Sequence, residues 1–163
     1  MNPRTGLLLD VLGQAFDGRS WHGTTLRGAL RGLTPAVALW RPASERHNIW
    51  ELVLHAAYWK YAVRRRLAGD ATGSFERTPS NWPSLPDPAD LKAWKRDVAF
   101  LEAEHRKLLD LVRRLTPADL ARRSPKGVWT NAQEIHGLAA HDLYHTGQIQ
   151  LIKRLARSAG TAR

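Results

Sequence analysis

Apolar residues recur at spacings of three and four through most of the chain, and the alternation that marks half-buried strands is nearly absent. Leu7, Leu8, Val11, Leu12 and Ala15 form the first stripe. Asn2 and Pro3 supply its cap and first-turn proline, and Asp17 with Gly18 closes it. A kink over residues 20–23 follows. From Thr24 or Thr25 a shorter amphipathic piece carries Leu26, Ala29, Leu30 and Leu33. Thr34 and Pro35 cap a restart that ends at Arg41, Pro42 and Ala43.

A second long helix is predicted from residue 49 to about 67, with Asn48 as cap and Glu51 completing a capping box. Gly69, Asp70, Gly73, Pro79, Pro83 and Pro86 make a long connector, on which Trp82 reads as an anchor. Asp87 and Pro88 look like the start of a third helix over 88–115, and Thr116, Pro117, Asp119 and Leu120 give only a brief helical turn. Thr130 and Gln133 repeat the capping-box pattern before a fourth helix over 131–157, leaving 158–163 as a frayed tail. Four substantial helices without hairpin signals predict an all-α four-helix bundle.

The 163 residues, 43% of them hydrophobic, suit a single domain over 1–163 with a sizeable core. No apolar run is long enough to span a bilayer. Arg4 and Asp10 interrupt the leucine-rich start in a way that a signal peptide's centre does not, so the expected compartment is the cytoplasm, with no membrane partner. Cysteine is absent, which excludes disulfides, thiolate ligands and a cysteine nucleophile. Any metal site must therefore use histidine, carboxylate or carbonyl oxygen. Lys and Arg number 25 against 15 Asp and Glu, a net charge of +10 that would suit nucleic acid or an anionic metabolite. The basic residues fall in scattered groups: Arg64 to Arg66, Arg113 and Arg114, Arg122, Arg123 and Lys126, then Lys153, Arg154, Arg157 and Arg163. They read as solvated helix faces rather than a recognition surface.

Seven histidines change the picture. His141 and His145 are four residues apart on the fourth helix, about 40° apart around its axis, and share their face with Leu138, Ile149 and Ile152. Both imidazoles should point inward, with His136 on the opposite side. His55 lies on a second apolar face beside Leu52, Trp59 and Ala62. Helical bundles build metal sites from inward side chains on facing helices, so one ligand from the second helix and two from the fourth would hold a divalent ion with positions left open. Zn, Ni, Fe and Mn all suit such a set. Two readings stay open on these grounds: a metal site, or core histidines satisfied by backbone and carboxylates. Asp142, Gln148 and Glu51 are candidates to orient the imidazoles.

The run His141, Asp142, Leu143, Tyr144, His145, Thr146, Gly147, Gln148 and Ile149 resembles the last-helix motif of the DinB and YfiT-like superfamily. Residues 48–55 resemble its second-helix motif, residues 15–23 resemble a first-helix kink found in one branch, and Asn81, Trp82 and Pro83 fit its connector. The resemblance implies a four-helix bundle of up-down-down-up order, often a homodimer, with a three-histidine divalent metal site falling on His55, His141 and His145. The family includes thiol S-transferases and a thiol-dependent maleylpyruvate isomerase. It thus points to a metal-dependent enzyme, a transferase or hydrolase that activates water or a low-molecular-weight thiol against a small-molecule substrate, with Glu51 and Tyr144 as candidates for proton transfer. The competing reading is a non-catalytic stress-response protein, either a metal-binding scaffold or a basic module contacting nucleic acid. Against nucleic acid, Trp21, Trp40, Trp50, Trp59, Trp94 and Trp129 mostly occupy amphipathic or capping positions, where core packing is expected before base stacking.

Overall fold

A computed structural model describes residues 2–70, 72–123 and 127–161. Lys126 and Arg163, counted above among the basic residues, lie outside these, as does the end of the tail. The described residues form seven helices: α1 Pro3–Phe16, α2 Leu26–Ala29, α3 Pro35–Leu39, α4 Ile49–Ala68, α5 Leu91–Val112, α6 Pro117–Ala121 and α7 Asn131–Ser158. No strand occurs among them, and the fold is all-α. No helix of the described residues is long and apolar enough to cross a membrane.

Local chemistry sets most boundaries. The Asn48 side chain accepts from the Glu51 amide at 2.9 Å and the Glu51 carboxylate accepts from the Asn48 amide at 3.1 Å, which satisfies two donors that the start of α4 would otherwise strand. α4 ends at Gly69, whose left-handed φ of 68° suits a residue without a Cβ. The third long helix departs from expectation. α5 starts after Asp90 rather than at Pro88, because the Asp90 carboxylate caps the Ala93 amide at 2.7 Å. It closes at Val112, short of Leu115, where the backbone tightens into bonds such as Leu115 N–H to the Val112 carbonyl.

α4 packs against α5 and α7, and α1 packs against α7. One group of buried side chains surrounds Trp50, Leu54, Trp94, Leu101 and Ile149, and another surrounds Leu12, Leu67, Leu108, Ile135 and Leu138. The connector between α4 and α5 is tied to this interior at three points. Phe75 is buried, Arg77 donates to the Asp97 carboxylate at 2.6 Å while Trp50 donates to its other oxygen at 2.9 Å, and Trp82 lies flat on His55. Several of the basic groups are paired within the fold. Arg64 reaches Glu104, Arg66 lies 3.6 Å from Glu134, and Arg113 and Arg122 pair with Asp110 and Asp119. Trp21 and Trp129 depart from the core packing expected of the tryptophans: they are 95% and 60% exposed.

Candidate metal centre

The inward face of α4 presents His55, and the inward face of α7 presents His141 and His145 one turn apart. His55 and His145 are buried and His141 is partly so, while Leu138, Ile149 and Ile152 on the same side of α7 are buried with them. The three rings meet through their Nε2 atoms. His141 Nε2 lies 3.2 Å from that of His55 and 3.0 Å from that of His145. Three nitrogens, one from each ring, fall within 4.8 Å of one another. Imidazoles sharing one tetrahedral ion at bond lengths of about 2.0–2.1 Å hold their nitrogens about 3.3–3.4 Å apart, a few tenths of an ångström above the two short separations.

The far edges of the rings explain why this geometry calls for a cation. His55 Nδ1 lies 2.9 Å from the Asn81 carbonyl oxygen, which only accepts, so Nδ1 carries the proton and Nε2 offers a lone pair. His145 Nδ1 faces the Gln148 side-chain oxygen at 2.6 Å, with the same result. His141 has no partner at Nδ1. A proton on its Nε2 could satisfy only one of the two facing lone pairs. A shared positive ion satisfies all of them, and neutral imidazoles are the form that binds it. Burial is the main cause that keeps the rings neutral. It pushes His55 down to about 4 and His141 to about 3, with mutual repulsion among the cluster adding to it, and it also lowers His145.

The donor set therefore fits a divalent ion, with Asn81 and Gln148 fixing the orientation of two of the rings. A cavity of about 880 Å³ opens beside it, walled by Leu52, Trp59, Trp82, Tyr144 and Ile152 and reaching all three rings. A second groove of about 750 Å³ lies against Trp59 and His141, with Trp129 and His136 on its walls.

Residues 20–149 match the family described as the DinB superfamily. The chain belongs to the DinB superfamily. No curated protein and no solved structure matches it.

Of the residues expected to orient the imidazoles in this DinB protein, Gln148 does so for His145. Asp142 does not. It is wholly buried against Lys60, 2.5 Å from Nζ, and its other oxygen is without a partner. The physical reason is angular: consecutive helical residues point about 100° apart, so Asp142 faces α4 away from its neighbour's ring. Glu51 is held by Arg41, His47 and the Asn48 amide, none of them one of the three converging imidazoles. Tyr144 is 64% exposed at the cavity wall, with its ring edge-on to His145.

Three contributors escaped the sequence reading. Asn81 acts through its backbone, for which side-chain patterns carry no signal. Trp82 was legible as an anchor but not as the ring stacked on His55. Lys60 reads as an ordinary lysine on a charged helix, yet its side chain is fully buried.

Proposed function

We propose that this chain is a divalent-metal-binding DinB enzyme, a thiol S-transferase or hydrolase, with His55, His141 and His145 as the ligands. The observation that carries the reading is the convergence of three imidazoles, two of which have their far edges already committed to Asn81 and Gln148. A bound divalent ion would supply the Lewis acidity that makes water or a low-molecular-weight thiol a nucleophile near neutral pH. The protein's own part is to hold three neutral rings in place, to keep one side of the cluster open to an 880 Å³ cavity, and to line that cavity with apolar walls that limit water. A closed structural site would have no such opening.

The same reading takes the four long helices as one domain, a four-helix bundle of up-down-down-up order. It also takes the working form as a cytoplasmic homodimer. The exposed Tyr144, Leu151 and Leu155, spaced along one side of α7, support the dimer. The internal pairing of so many arginines weighs against nucleic acid as the partner.

Metal content and affinity, measured on purified wild type and His145→Ala, test the proposal. About one ion per chain is expected in the wild type, and at least a roughly tenfold loss of affinity in the variant. Loaded protein is then screened with thiols and electrophiles for turnover. Unchanged affinity in His145→Ala would sink the site, and metal binding without turnover would leave a scaffold rather than an enzyme.

A further inference from the structure

His47 is not one of the converging ligands, yet it lines the same cavity. Its Nδ1 lies 3.2 Å from Glu51 Oε2. Burial alone would raise the Glu51 carboxyl, but hydrogen bonds from Arg41, the Asn48 amide and His47 outweigh it and hold the group below the usual carboxylate range. Glu51 is thus an ionised acceptor with its oxygens already engaged, and His47 Nδ1 must be the donor toward it. In the neutral ring the opposite nitrogen, Nε2, carries the lone pair, and the side chain is half exposed.

Trp82 fixes where that ring stands. His47 stacks on the indole at 3.6 Å and 3°, and His55 stacks on it at 3.9 Å and 9°. Two rings cannot occupy one face of a single indole at those distances, so they lie on opposite faces, roughly 7 Å apart. Around His47 stand Glu51 and Arg41, Glu45 and Arg46 on its own segment, and His55 and His145 beyond Trp82. It is a carboxylate-oriented, half-exposed imidazole that shares the cavity with the three converging rings but is screened from His55 by the Trp82 indole.

We propose that His47, oriented by Glu51, is the proton acceptor of this cavity. A thiol entering it loses its proton: the S–H bond breaks, the electron pair stays on sulfur, and a new N–H bond forms at His47 Nε2. The exposed edge of the ring then releases the proton to buffer. Water would be deprotonated in the same way. Glu51 is a positioning residue that acts through His47, which gives the carboxylate a part in proton transfer without a free oxygen of its own. This rests on the metal-centre reading above.

The test loads the full chain with cobalt and mixes it with 2-mercaptoethanol, following the thiolate-to-cobalt absorption band in a stopped-flow instrument. His47→Ala and His47→Gln are expected to take up cobalt like the wild type and to reach the same final band. Near pH 7 their rate of band formation should fall by roughly tenfold or more, and added imidazole should restore it in His47→Ala. Glu51→Gln should slow the step less. Nitrogen-15 spectra of the wild-type ring should place the proton on Nδ1. Wild-type rates in both His47 variants, a slowed rate that imidazole does not rescue, or a proton on Nε2 would overturn the proposal. Failure of the wild type to take up cobalt or to show the band would break the metal-centre reading instead, and this inference with it.

Discussion

Helices α4 and α7 bring together two buried polar clusters that differ in what they lack. One holds His55, His141 and His145, whose like-oriented lone pairs face each other beside an open cavity. The other holds Lys60 and Asp142, both fully buried, as an ion pair at 2.5 Å, with Phe16 under the ammonium and His105 stacked on Phe16 at 3.8 Å. The second cluster pairs a cation with an anion inside the chain. The first brings together three imidazoles with no anion among them, a set that could hold a metal ion. The closed cluster is self-neutralised and the open one is not, and the sign of the groups brought together decides it.

Lys60→Met tests the closed cluster and carries the largest expected effect. It strands a buried carboxylate that burial already pushes upward and that Lys60 pulls back, so stability should fall by about 3–5 kcal/mol in urea unfolding. Lys60→Met combined with Asp142→Leu should recover most of that loss. If the double variant is no better than the single, the pair is not the closed unit described here.

Gln148→Leu tests the open cluster at one remove. The His145 ring keeps its place on α7 but loses the acceptor that fixes its Nδ1 proton, so metal affinity should drop roughly tenfold, about 1.4 kcal/mol, with little change in the metal-free stability. Titration of the metal against a competing chelator measures it. An unchanged affinity would show that the backbone of α7 alone orients the ring.

The effect that is smallest near neutral pH, and grows as acid is added, belongs to His105. Burial, reinforced by nearby Lys60, holds His105 down to about 2, against 6.5 for a free imidazole, and neither ring nitrogen has a partner. The folded state therefore keeps His105 neutral while the unfolded chain protonates it, so stability is intact above about pH 6.5 and declines as the pH falls from there toward 2. Each such histidine contributes a slope of about 1.4 kcal/mol per pH unit well below 6.5. His105→Leu should flatten the acid limb of the metal-free protein by that amount. An unaltered limb would mean that His105 is solvated when folded.

Much of this was legible in the residues because it depends on local geometry. The capping boxes at Asn48 and Thr130 were predicted with their partners, since a side chain reaching three residues along needs no tertiary information. The false start at Asp87 shows the limit of the same reasoning. Asp87 with Pro88 and Asp90 with Leu91 both offer a cap, and the carboxylate that captures a backbone amide depends on how the connector lands on α4 and α5. Trp129 failed for a related reason: a residue before a cap can pack inward or face a groove, and its period does not say which.

The sequence by itself determined that His141 and His145 share a face of one helix and that His55 sits on the apolar face of another, because 3.6 residues per turn fixes directions around an axis. Only the tertiary structure decided that these faces meet, that the Asn81 carbonyl and Trp82 close around His55, and that Lys60 finds Asp142. Those contacts join segments up to 86 residues apart. Helical periodicity encodes which way a side chain points, while packing decides what it meets there.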